Sequence, residues 1–138
     1  SFAFTEPAAD WFRKGSGGKW NSGKSPFGIN YPAMPKANTK WESPALYLRR
    51  NISLASIPAG IGIVTYNSAI TTVYINGEQA IQINSQFRFD NELKVCEVPL
   101  PEKALSLLKK GENTIAVKVE IQPVEKPVQF FDIGLVKY

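Results

Sequence analysis

From residue 45 onward the chain consists of short apolar segments separated by turn signals. In the segment 45–54 the even-numbered residues are mostly apolar and the odd-numbered ones mostly polar, which predicts a strand with one buried face. Further strands are predicted at 61–66, 71–75, 79–83, 87–89, 93–98, 114–121 and 128–138. We expect the last strand to pair with the strand before it or with an N-terminal one. This pattern is typical of an all-β sandwich or barrel.

Two local signals add detail to this pattern. Asn76-Gly77 lies between two β-patterned runs and predicts a hairpin, because a type I′ turn needs a positive φ at both central positions. One short helix is predicted near 101–110, where Pro101 opens an apolar stripe, Lys109 and Lys110 close it, and Gly111 follows.

Residues 1–45 are rich in Gly, Ser, Asn and Pro but also carry six aromatic residues: Trp11, Phe12, Trp20, Phe27, Tyr31 and Trp41. The breakers predict loops, and the aromatic residues are too numerous for a free tail. We therefore expect a loop-rich segment that wraps the core and contains one or two short strands. Together with the length of 138 residues, this predicts one domain spanning 1–138.

The composition excludes several classes of site. The chain has no histidine, so it supplies neither a Ser-His-Asp or Cys-His nucleophile system nor an H-E-x-x-H zinc site. Its one cysteine, Cys96, forms no internal disulfide and no four-cysteine zinc site, and its setting predicts a small strand residue.

The net charge is +4 and the sequence pI is about 9.2, but the basic residues are scattered along the chain. Nucleic-acid binding is therefore not expected. No apolar run approaches the ~18 residues of a membrane span. Ser1-Phe2-Ala3 begins without a charged and then apolar leader, so we expect an excised or mature segment without a signal peptide.

Five segments carry a resemblance to a known family: 20–28, 41–50, 73–77 (Val-Tyr-Ile-Asn-Gly), 104–117 and 129–135 (Gln-Phe-Phe-Asp-Ile-Gly-Leu). In this order they resemble galactose-binding-domain-like jelly-roll modules over most of the chain. The likeness is strongest to accessory modules of secreted bacterial glycoside hydrolases and of glutaminase-A-like proteins of gut bacteria. It extends more loosely to the sugar-binding domain of β-galactosidase-type enzymes.

The resemblance implies a jelly-roll β-sandwich that is an accessory module next to a catalytic domain of the same polypeptide, either as a scaffold or as a carbohydrate-binding module. The parent protein is then expected to be extracellular or periplasmic. Such modules often hold a structural calcium ion, which no Asp-rich loop marks here. The related modules often carry acidic residues where this chain has Asn67-Ser68, so a carboxylate contact to an ion or sugar is not expected there.

Without histidine, hydrolysis would need a pair of carboxylates about 5–9.5 Å apart. The three aspartates are Asp10, Asp90 and Asp132, and most glutamates fall at predicted surface positions. No two of them are marked by the sequence as sharing a cleft. We therefore assign no catalytic residue to this chain.

Arg50 has the same parity as Leu48 and Ile52, the predicted buried face of the first strand. An unpaired charge buried there would be costly. One hypothesis is a buried or half-buried ion pair with Asp132 in the last strand. The alternative is that Arg50 lies on a concave face and donates to a sugar hydroxyl or a carboxylate.

Sugar binding requires aromatic faces that stack on a pyranose and planar polar groups that bind its hydroxyls. The candidate carbohydrate-binding residues are Trp20, Trp41, Arg49, Tyr74 and Asn76. For each aromatic residue the alternative is packing under the N-terminal segment.

Three functions remain open on the sequence: an interdomain scaffold, a carbohydrate-binding module, and part of a glycoside hydrolase or glutaminase whose active site lies mostly in another domain. A scaffold predicts an exposed apolar patch. A carbohydrate-binding module predicts a cleft with an exposed aromatic platform, and an enzyme predicts two carboxylates that face one pocket.

Overall fold

The computed structural model describes residues 1–30, 36–67, 69–84, 95–121 and 129–138. These residues form ten strands and one helical turn: β1 (Phe2–Ala3), β2 (Phe27–Gly28), β3 (Thr39–Lys40), β4 (Ala45–Leu54), β5 (Ile61–Asn67), β6 (Ile70–Ile75), β7 (Glu78–Ile83), β8 (Val95–Pro99), α1 (Glu102–Leu105), β9 (Gly111–Glu120) and β10 (Phe130–Lys137).

The strands form two five-stranded sheets. Sheet A has the order β1-β4-β9-β6-β7, and sheet B has the order β3-β2-β10-β5-β8. From β4 onward the chain crosses repeatedly between the sheets, because β5, β8 and β10 lie in sheet B whereas β4, β6, β7 and β9 lie in sheet A. The predicted all-β jelly-roll sandwich with one short helix is thereby confirmed.

The main core lies between the two sheets and is built by the alternation read from the sequence. In β4 the even-numbered Leu46, Leu48 and Leu54 face this core, whereas Tyr47 packs on the outer face of sheet A. In β9 the odd-numbered apolar residues face the core in the same way. The period of two thus places one side of each central strand in the core.

The hairpin between β6 and β7 turns at Asn76 and Gly77, as the sequence predicts. Asn76 has φ 51° and Gly77 has φ 87°, and Ile75 pairs with Glu78 across the turn. Both central residues therefore adopt the positive φ that a type I′ turn requires.

The helix is shorter than the predicted span 101–110, because α1 ends at Leu105. The side chain of Asn113 binds the backbone of Lys109: its Oδ1 accepts from the Lys109 N–H at 2.9 Å and its Nδ2 donates to the Lys109 carbonyl at 2.8 Å. These bonds hold the chain after α1 in a loop that leads into β9 at Gly111, whose φ is 91°. The apolar stripe that predicts a longer helix still packs inward, since Ala104 and Leu108 are buried.

The N-terminal segment contributes three two-residue strands to the sheets, one more than the sequence predicts. β1 pairs with β4 only at Tyr47 and Leu48, and β2 pairs with β10 only at Phe130 and Phe131. β10 also pairs with β5 along its length and does not pair with β9, which precedes it. Among the described strands, the later halves of β4 and β10 are therefore not covered by a neighbour on their outer edge.

Some predictions fall outside the described residues. These are the strand at 87–89, the start of the strands at 93–98 and 128–138, and the positions of Tyr31, Ser68 and Asp90.

Candidate functional site

An aromatic cluster covers the outer face of sheet A. It consists of Trp11, Phe12 and Trp20 from the N-terminal segment and of Tyr47 and Tyr74 from the sheet. Trp11 meets Tyr47 edge to face with ring centroids 5.0 Å apart, and Phe12 stacks on Tyr74 at 4.7 Å with an interplanar angle of 18°. Such contacts are favourable beyond the area they bury. The cluster attaches the N-terminal segment to sheet A.

Arg49 fastens the same segment through its guanidinium group. It donates to the carbonyl oxygens of Trp11 and Arg13, each at 3.0 Å, to the Ser16 carbonyl at 3.1 Å, and also to the Ser16 hydroxyl. Its Cζ lies 4.5 Å from the centroid of the Trp20 ring. The planar guanidinium group donates several hydrogen bonds and stacks on the indole at the same time. A lysine ammonium group cannot do both.

Three of the five candidate carbohydrate-binding residues lie on this outer face: Trp20, Arg49 and Tyr74. Trp41 lies instead in the main core with 0% exposure, and its indole N–H is shared between the Ser43 hydroxyl and the Ala45 carbonyl, both at 3.2 Å.

Asn76 has a different role again, in the β6–β7 turn. Its Nδ2 donates to the Leu107 carbonyl at 2.8 Å and to Asn113 Oδ1 at 2.9 Å, and its Oδ1 accepts from the Thr114 N–H at 2.9 Å. The structure therefore distributes the five candidates over three places and gives most of their polar groups protein partners.

The structure does not bring Arg50 and Asp132 together as an ion pair. The ion pairs given by the described residues join Lys14 with Glu112, Lys40 with Glu42, and Lys118 with Glu120. Arg50 has the predicted parity, but it is exposed because the two sheets are open at this position. Arg50 is therefore not buried, and the reason for expecting a carboxylate partner does not apply.

Asp132 instead binds the backbone of its own strand. Its Oδ1 accepts from the N–H of the next residue, Ile133, at 2.9 Å, and its carbonyl accepts from the Thr65 hydroxyl at 2.7 Å. Since Ile133 lies where β10 extends beyond β2, the carboxylate satisfies an N–H that would otherwise be free at a sheet edge.

A cleft lies between the sheets, bordered by the later halves of β4 and β10 that β1 and β2 leave uncovered. Its volume is about 560 Å³. Most of its wall is aliphatic: Leu48, Ile52, Ile115, Val117, Ile133 and Leu135. Ile63 and Val73 lie behind this wall and are 0% and 1% exposed, so the cleft ends above the centre of the main core.

The rim of the cleft is positively charged. Arg50 and Lys24 lie on it, and no described lining residue is acidic. Ser1 also lines the cleft, and the pKa of its α-amino group is lowered by partial burial and by the guanidinium groups of Arg49 and Arg50.

Sequence reasoning missed this cleft, although one signal for it was present. Arg50 is on the same side of β4 as the core residues. A charged residue on that side indicates that the space between the sheets is open to solvent at this position. What the sequence did not reveal is that β1 and β2 end after two residues.

The described residues contain no cluster of three or more acidic or cysteine side chains that could hold a metal ion. The calcium expectation stays a prediction, because backbone carbonyl ligands leave no such cluster. In the same part of the chain no helix is long and apolar enough to cross a membrane.

No protein-family model matches the sequence, and no curated relative is detected. Among solved structures, a β-glucuronidase of Bacteroides uniformis aligns with 99% of this chain at 17% identity and a TM-score of 0.56. The aligned region makes up 17% of that chain. At this identity the match shows a shared fold.

Two further structures match less completely. The α-L-rhamnosidase of Streptomyces avermitilis, solved with L-rhamnose, aligns with 66% of this chain and 8% of its own at 15% identity and a TM-score of 0.48. A β-glucuronidase of an uncultured Clostridium species aligns with 55% of this chain and 12% of its own at 15% identity and a TM-score of 0.36. In all three cases the chain spans less than a fifth of a larger glycoside hydrolase.

Proposed function

We propose that this chain is a non-catalytic accessory module of a larger glycoside hydrolase, in which it acts as an interdomain scaffold. The observation that carries the proposal is the alignment of nearly the whole chain with about a sixth of a β-glucuronidase. A chain that aligns over nearly its full length with a small part of a hydrolase is expected to be one domain of a similar, larger hydrolase. The parent protein would be extracellular or periplasmic, as many polysaccharide-degrading enzymes are.

The use of the aromatic residues favours a scaffold over a carbohydrate-binding module. Trp41 is in the core, Trp20 lies under the Arg49 guanidinium, and Tyr74 stacks on Phe12. A sugar-binding platform needs at least one aromatic face open to solvent. Trp41 has no face open to solvent, and protein groups lie against one face of Trp20 and one face of Tyr74, which are both half-buried.

An exposed apolar end supports docking to a neighbouring domain. We use this name for Ile57 and Tyr138, which are 51% and 56% exposed. Tyr138 packs against Gly60 in the β4–β5 connection that also carries Ile57, and its N–H donates to the Gly60 carbonyl at 3.1 Å. A group of exposed apolar side chains marks a surface that gains stability when another protein surface covers it.

The resemblance to glutaminase-A-like proteins implies a glutaminase as the alternative parent. The β-glucuronidase that aligns with nearly the whole chain is a glycoside hydrolase, so the proposal names a glycoside hydrolase as the parent.

Calorimetric titration of this chain with a panel of plant and host polysaccharides tests the proposal. A scaffold gives no saturable heat with any member of the panel. Saturable binding of one polysaccharide, weakened at least tenfold by Trp20→Ala, would instead show a carbohydrate-binding module and contradict the scaffold.

A further inference from the structure

We propose that the cleft between the sheets is a binding site for a single-chain amphipathic carboxylate, with the alkyl chain between the sheets and the carboxylate at Arg50. This inference is independent of the proposed scaffold function. It rests on three properties of the cleft: its volume, its aliphatic wall and its cationic rim.

The volume of the cleft suits a small ligand. At about 560 Å³ it lies within the range of roughly 300–1,000 Å³ that is usual for ligand pockets. The opening between the uncovered edges of β4 and β10 gives access from solvent. An alkyl chain can therefore enter from the rim toward the half-buried Ile115 without crossing a sheet.

The wall selects an apolar chain over a sugar. Ile115 and Val117 on one side and Ile133 on the other present methyl groups and no hydrogen-bonding side chain. The hydroxyls of a sugar placed between them would lose their water partners without replacement, which is costly. Methylene groups placed there gain affinity, because burial removes their apolar surface from water.

The rim selects an anionic head group. The Arg50 side chain is exposed and forms none of the ion pairs of the described residues, so its fork is available to a carboxylate. Lys24, also exposed, adds a second positive charge on the same rim. This arrangement contrasts with Arg49, the next residue along β4, whose donors are occupied by the N-terminal segment.

Calorimetric titration of the full chain with octanoate, decanoate and 1-decanol, each below its aggregation concentration, tests the site. We expect saturable 1:1 binding that strengthens several-fold per added methylene until the cleft is filled. Decanoate is expected to bind about tenfold more tightly than 1-decanol, because only decanoate pairs with the guanidinium group.

Three variants locate the interaction. Arg50→Gln should reduce the preference for decanoate over 1-decanol to about one, whereas the matched control Arg13→Gln, on the outer face of sheet A, should keep it near ten. Ile52→Trp should abolish binding of both ligands, because the indole fills the mouth of the cleft. Since Arg50 is exposed, Arg50→Gln is expected to fold even if Ile52→Trp does not.

Absence of saturable decanoate binding to the unmodified chain would overturn the proposal. So would equal preferences in Arg50→Gln and Arg13→Gln, or undiminished binding by folded Ile52→Trp, because either result would place the ligand elsewhere.

Discussion

Neighbouring arginines in β4 show how one position along a strand changes the role of a side chain. Arg49 points to the outer face, where its guanidinium group donates to three carbonyl oxygens of the N-terminal segment and stacks on Trp20. Arg50 points to the inner face and lies on the rim of the cleft. The same residue type is structural at one position and available for a ligand at the next.

Arg49→Lys should lower the free energy of unfolding by about 2 kcal/mol, because a single ammonium group cannot replace the fork and loses the stacking on Trp20. Urea denaturation measures the change. The matched control Arg50→Lys should leave stability within about 0.5 kcal/mol of the unmodified chain, because Arg50 is exposed. Equal losses in the two variants would show that Arg49 does not hold the N-terminal segment.

At the scale of the elements, the period of two and the turn chemistry account for most of what could be predicted. The alternation in β4 assigns its buried face correctly, and Asn76-Gly77 marks its hairpin, because both signals depend on adjacent residues. The predicted helix is too long because its end is determined by Asn113 in β9, whose side chain binds the backbone of Lys109. A contact of that kind is set by the tertiary structure and leaves no periodic signal.

The two-residue strand β2 depends on Gly28. Its φ is 151°, and a Cβ at this position would lie 2.2 Å from the Gln129 carbonyl oxygen on the neighbouring chain segment. Only glycine allows β2 to approach β10 so closely.

Gly28→Ala should therefore destabilise the fold by more than about 3 kcal/mol, since backbone must move to remove the overlap. Thermal or urea unfolding measures this. Gly134→Ala in β10 is the matched control, because nothing lies within 4 Å of its Cβ position, and it should change stability by less than about 0.5 kcal/mol. A Gly28→Ala variant as stable as Gly134→Ala would contradict the close approach of β2 to β10.

At the scale of the whole molecule, the fold could be predicted from the sequence more completely than the site. Trp20 and Trp41 lie in or beside predicted loops and Tyr74 lies in a predicted strand, and on the sequence alone each fits packing as well as sugar binding, with packing favoured. Their burial depends on how the N-terminal segment crosses the sandwich. The cleft depends on where β1 and β2 end, which is also a property of the assembled sheets.

The proposed scaffold function requires that this sandwich packs against the catalytic domain of a larger hydrolase and stabilises it. If the apolar end is the contact surface, the two domains unfold as one cooperative unit, because each loses the covered apolar area when the other unfolds. A charge introduced there should weaken that coupling without affecting the sandwich itself, since Ile57 is exposed in the isolated chain.

Differential scanning calorimetry of the parent polypeptide, with Ile57→Glu compared against the adjacent exposed Ser56→Glu, measures this coupling most directly. The scaffold function predicts that Ile57→Glu lowers the melting temperature of the catalytic domain by about 3 °C or more, while Ser56→Glu leaves it unchanged and both variants of this chain alone melt like the unmodified chain. Identical melting of the catalytic domain in the two variants and the unmodified parent would contradict it.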